Sequence, residues 1–246
     1  GSIKTTATDS EINLIAGTTS GDIVLTLVSP EAAYDRDTET SDGGTIRLTT
    51  ANGTVLQTDS ALRAANLEVT SGASVELQTR VTNLTATLTG TSDFELNNAG
   101  DLTIVDVDVA DGLVQIGAQG NITVQSLRSQ NSDSNKPILL TTGIYPEELL
   151  TLESNLGTTQ EPGDLDLNMT LGDLDAGANG VVRLFASGEI DHPGNSVVAD
   201  TLTVQIGGNA TGDADDRIGQ LRTDVATLFL NTYSPGNVEI FDFSDA

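Results

Sequence analysis

The chain has 246 residues, 36 of them Asp or Glu and 10 Lys or Arg, for a net charge of −26. Such a surface excludes a general affinity for nucleic acid, whose phosphates demand basic side chains, and argues against anionic membrane surfaces. Cysteine is absent and histidine occurs once, which removes disulfides, thiolate metal sites, cysteine nucleophiles and three-histidine zinc centres.

No apolar run approaches the roughly 20 residues of a membrane span, so no membrane insertion is expected of this segment. Thr, Val, Leu, Ile, Asn, Asp and Gly dominate, and helix-forming clusters are scarce, so strands are expected throughout. Gly1-Ser2 reads as a remnant of expression, and residues 3–246 as one segment cut from a larger protein.

The first turn signal is Gly21-Asp22-Ile23. Its pattern, Gly followed by Asn or Asp and then an aliphatic residue, returns at Gly100-Asp101-Leu102, Gly120-Asn121-Ile122, Gly163-Asp164-Leu165 and Gly236-Asn237-Val238. Glycine takes positive φ freely, and Asn or Asp hydrogen-bonds its own turn, so each copy turns the chain and launches a strand. Residues 29–43, polar and charged, leave this pattern as a first insertion carrying Tyr34.

From Ile46 onward the aliphatic residues recur at a shift of roughly 20. Ile46 and Leu48 match Leu67 and Val69; Val55 matches Val75; Val75 and Leu77 match Phe94 and Leu96. Leu102 and Ile104 match Ile122 and Val124, and Val182, Leu184 and Ala186 match Leu202, Val204 and Ile206. Within each strand apolar residues alternate, the mark of a half-buried strand.

Between Ile104 and Val105 the apolar phase flips without a gap, which predicts a bend. Asp111-Gly112 and Gln119-Gly120 supply two further turns. Three short strands and three turns in about 20 residues make one rung of a right-handed parallel β-helix, of roughly nine or ten rungs with open ends. A β-sandwich needs no such register and usually has a large aromatic core, whereas this chain has no Trp, five Phe and three Tyr.

Residues 128–162 form a second insertion, with strand-like PILLTT, a short helical turn expected at Glu147–Leu150, and Tyr145. Insertions into solenoid rungs tend to share one face, often the binding face, so Tyr34 and Tyr145 are candidate ligand residues for stacking on sugar rings. Asp106 and Asp108 alternate with Val105, Val107 and Val109 and therefore face outward, with Thr87 or Thr89 on the rung below and Gln125 above. No Lys or Arg clearly joins them, although Arg128 is close in sequence. His192, in Asp-His-Pro-Gly, reads as a solvated turn histidine. Asp213, Asp215 and Asp216 are the densest acidic cluster and a candidate calcium site, since calcium takes 6 to 8 oxygens. They lack the closing Glu of an EF-hand, and the plain acidic turn is the competing reading. No other cofactor is implied.

The last third carries a resemblance. NGVVRLFASGEI (179–190), VVADTLTVQIGGNA (197–210) and RIGQLRTDVATLFLNTYSPGNVEIFD (217–242) resemble the repeats of large bacterial exoproteins of the filamentous-haemagglutinin type. Ile218-Gly219, Leu221, Thr223, Val225 and Leu228, then Gly236, Val238 and Ile240, carry the pattern, with a shortened gap after Gly219. The likeness covers most of the chain from residue 43.

It implies a non-catalytic stalk, fibre or adhesin shaft, extracellular or at the cell surface. Its partners would be flanking repeats of the same large chain and a host or cell-surface glycan or protein. The family carries no catalytic residues to transfer. The competing expectations are a carbohydrate-active β-helix enzyme, a polysaccharide lyase or glycosidase, and a glycan-binding module built on the insertions.

Overall fold

The computed structural model describes residues 11–16, 23–25, 38–39, 44–57, 62–130, 135–143, 167–193, 196–206, 218–232 and 237–243. These residues hold strands and turns and no helix, and they wind into a parallel β-solenoid of about 7 turns, each about 21 residues long. The pairings run parallel from Glu11–Ile15 at one end to Val238–Asp242 at the other. Some turns use more chain than the repeat. Asn121 and Asn168 are bonded neighbours 47 residues apart, and Asp111 meets Lys136 at a separation of 25.

The sequence shifts are the registers of the stack. Ile46 and Leu48 lie beside Leu67 and Val69, and Val55 lies beside Val75. Phe94 and Leu96 follow Val75 and Leu77, and Ile122 and Val124 follow Leu102 and Ile104. Leu202, Val204 and Ile206 cover Val182, Leu184 and Ala186. All of these side chains are buried. Paired strands sit about 4.8 Å apart, so each inward position becomes a continuous aliphatic column. Burying one such Val, Leu or Ile contributes about 1.5–3 kcal/mol, and neither a lone turn nor its column closes without a neighbour. Phe94, fully buried, is the bulkiest side chain in the core.

The expected bend after Ile104 is a β-bulge. Leu102–Asp111 is one strand, not two. Leu84 pairs with Ile104 but the next residue, Thr85, pairs with Asp106, so Val105 is the extra residue. It is half-buried, while Val107 and Val109 are fully inward. A bulge opposes two residues to one and bends its strand. The phase flip read from the sequence is this single inserted residue.

The strand expected in PILLTT is Ile138–Thr142. It is buried on both faces: Ile138 and Leu140 point inward, and Leu139 and Thr141, which point outward, are 2% and 0% exposed. In the neighbouring turn Phe185, the register partner of Thr141, is also buried. A strand covered on both sides has no reason to alternate, which is why Ile138-Leu139-Leu140 is an unbroken apolar run. The last described turns differ. Leu230 and Val238 occupy inward registers beside Val204 and Ile218 yet are 40% and 39% exposed.

Candidate functional site

Chemistry on such a fold must come from outward side chains or from turns. Stacking brings outward residues of successive turns side by side, about 4.8 Å apart. Asp106 and Asp108 pair with Thr85 and Thr87 on the preceding turn. On the following turn Asp108 lies beside Arg128, which lies beside Asp175 one turn further. An acid–base–acid row therefore runs up this face. The residue above Asp108 is Arg128, not Gln125, and the 20-residue shift that pairs Leu102 with Ile122 also leads from Asp108 to Arg128.

Arg128 is exposed and Asp108 half-buried. The Asp175 carboxylate accepts the backbone N–H of Gly177 at 2.8 Å, so one member of the row already holds a local turn. An ion pair of the same outer surface joins Arg47 to Glu68 on the next turn, at 2.5 and 3.2 Å. Both side chains are solvent-exposed, so the pair orders the surface more than it stabilises the fold.

A second column of polar groups runs along the turns that launch each strand. The side-chain oxygen of Asp101 accepts the backbone N–H of Asn121 at 2.8 Å. Asn121 Oδ1 accepts from the N–H of Asn168 at 2.8 Å, and Asn168 Oδ1 from the N–H of Glu189 at 2.7 Å. The Asn or Asp of the recurring tripeptide thus bonds the next turn, not its own. The glycine has a matching task. A Cβ on Gly120 would lie 2.4 Å from Asp101 N and 2.5 Å from Gly100 C, so the residue permits close stacking of turns. Gly100 alone of the two takes positive φ, at 143°. Elsewhere, buried Asn98 works inside its corner. It accepts from Val81 N and Thr79 Oγ1, and donates to the carbonyls of Val81, Gly100 and Asp101.

His192 is not solvated; it is fully buried. Met169 pairs with Ile122 and Ile190 with Met169, so two residues on, Val124, Leu171 and His192 share one inward column. The ring Nε2 is 2.9 Å from the Gly172 carbonyl of the preceding turn, and Nδ1 accepts the N–H of Arg222 of the following turn at 3.2 Å. A carbonyl only accepts and an amide N–H only donates, so the ring is neutral with its proton on Nε2. Burial lowers its pKa below the usual 6.5, against the hydrogen bond to the Gly172 carbonyl, which would raise it. Pro193 follows and has no N–H, and the ring supplies a donor to the corner that a proline cannot.

Tyr34, Tyr145, Glu147–Leu150, Asp213, Asp215 and Asp216 lie outside the described residues, as do the turn copies at Gly21 and Gly163. Among the described residues no group of three or more His, Cys, Asp or Glu side chains is placed to hold a metal ion, and no helix is long and apolar enough to cross a membrane. Comparison with protein-family models, with curated proteins and with solved structures finds no match to this chain. The resemblance to filamentous-haemagglutinin-type repeats therefore rests on the sequence pattern and on the parallel β-solenoid it implied.

Proposed function

We propose that this chain is a non-catalytic structural segment, a stalk, fibre or adhesin shaft, of a large extracellular or cell-surface bacterial protein. The observation that carries the reading is where its polar chemistry is used. Asp101, Asn121 and Asn168 each spend a side-chain oxygen on the next turn's backbone. Buried Asn98 and His192 are likewise committed to the scaffold. Nearest-neighbour turns tied in this way make a rod whose length is set by the number of turns. Leu230 and Val238, exposed in core registers, suit a stack that continues into flanking repeats of the same chain.

A second reading, a carbohydrate-active enzyme, draws support from one row of residues. Asp108, Arg128 and Asp175 combine carboxylates with a base on one outer face. Two turns separate the carboxylates, roughly 10 Å by strand spacing, just beyond the range of glycosidase pairs. Side chains on successive strands stand shoulder to shoulder instead of facing each other across a cleft, and Asp175 is engaged by Gly177.

Incubating the purified protein with acidic and neutral polysaccharides, and following reducing ends and unsaturated uronates, separates the two. The structural reading expects no product above background. Product formation that disappears in Asp108→Asn and Arg128→Ala would replace it with the enzymatic one.

A further inference from the structure

We infer that His192 is an acid-sensitive latch, a single buried side chain that ties three successive turns of the solenoid together and lets go when it gains a proton. The ring is the only imidazole in the chain and is fully buried. It reaches 20 residues back to the Gly172 carbonyl and 30 residues forward to the Arg222 amide. The column it occupies is otherwise aliphatic, with Val124 and Leu171 in the two preceding turns.

In the neutral ring each nitrogen has the partner it needs. Protonation places a hydrogen on Nδ1, which then points at the N–H of Arg222, donor against donor. The forward bond is lost and a cation is left in an apolar column, a costly state unless it is compensated. The charged residues that flank the ring and its two partners along the chain are Asp191 and Glu189 on its own turn, Asp173 next to Gly172 on the preceding one, and Arg222 and Asp224 on the following one; of these Asp191 and Arg222 act on the ring. Asp191 favours the cation, Arg222 opposes it, and burial outweighs both. The bond lost is the one to the strand Ile218–Thr232, on which the last described turn, Val238–Asp242, is stacked.

The direction in pH follows from linkage. The folded pKa lies below the unfolded value of about 6.5, so the unfolded chain binds the proton first. The latch contributes fully above about pH 6.5 and is lost as pH falls through the folded value. Elsewhere on this chain acid acts the other way: neutralising carboxylates of a protein at −26 relieves self-repulsion.

The test compares wild type with His192→Gln, whose amide can donate to Gly172 and accept from Arg222 but does not titrate here. Urea unfolding is followed at about pH 7.5 and about pH 5.5, and the ring nitrogens of the wild type are followed by ¹⁵N NMR. The wild type should lose up to about tenfold in folding equilibrium constant relative to the variant, the limit set by the one pH unit below about 6.5 in which only the unfolded chain takes up the proton. Its ring should carry the proton on Nε2 and titrate below 6.5. Parallel pH responses of the two proteins would overturn the latch. So would a ring protonated on Nδ1, or one titrating at 6.5 or above. If the Gln variant does not fold, the ring spectrum of the wild type decides alone.

Discussion

The side-chain oxygen of Asn121 accepts the backbone N–H of Asn168 at 2.8 Å, across 47 residues of chain. It is one step of a column that starts at Asp101 and ends on the amide of Glu189. The column binds turn to turn outside the sheet ladders, at the point where each strand begins. Asn121→Ala and Asn168→Ala should each lower stability by about 0.5–1.5 kcal/mol, the net contribution of one hydrogen bond. Urea titration of the two variants checks this, and wild-type midpoints for both would show that water replaces the ladder at no cost.

Gly120 and Gly100 should respond to alanine for different reasons. At Gly120 the new methyl would meet the backbone of Asp101 and Gly100 at 2.4 and 2.5 Å, and backbone cannot swing aside. A loss of about 1–3 kcal/mol is expected from forced displacement. At Gly100 nothing lies within 4 Å of a Cβ, so only the positive φ resists substitution, at about 1–3 kcal/mol. The two separate with D-alanine introduced by semisynthesis. It should be tolerated at residue 100, where φ is 143°, and harmful at residue 120, where φ is not positive.

Arg128 between Asp108 and Asp175 offers a test of charge order on the outer face. Arg128→Ala should change stability by no more than about 0.5 kcal/mol, as exposed charges usually do. Arg128→Asp would place three carboxylates in consecutive registers, and like charges opposite one another destabilise. Its deficit should shrink as sodium chloride is raised. A deficit independent of salt would assign the effect to packing instead.

Salt should also act on the whole molecule. A net charge of −26 opposes the compact state, and the Debye length falls from about 10 Å at 0.1 M salt to about 3 Å at 1 M. Thermal midpoints should therefore rise with sodium chloride. A further rise with calcium at matched ionic strength, lost in the Asp215→Asn, Asp216→Asn double variant, would establish the calcium site proposed at Asp213, Asp215 and Asp216. Coincident curves in the two salts would leave those residues an acidic turn.

Much of the register was readable because one aliphatic column fixes it. A slip of one residue would turn Leu102 and Ile104 outward, so matching them to Ile122 and Val124 left little freedom. What escaped was hidden by local grammar. Ile190-Asp191-His192 alternates and points His192 inward, but Asp-His-Pro-Gly reads as a solvated turn. Arg128 lies one 20-residue step from Asp108, but the outward face carries no aliphatic marker to fix that pairing from the sequence. The bond from Asn121 to Asn168 could not be read at all, since the repeat stretches to 47 residues there. The bulge at Val105 was visible only as a flip in phase.

The central claim is that stacked turns, tied each to the next, form a mechanical segment. Pulling on a single chain held at its two ends tests it most directly. The account predicts stepwise lengthening as turns peel off one at a time, each regular turn releasing about 21 residues, roughly 70 Å of extended chain, and the longer turns more. Extension without turn-sized steps, at forces no different from those of an unstructured chain, would contradict it.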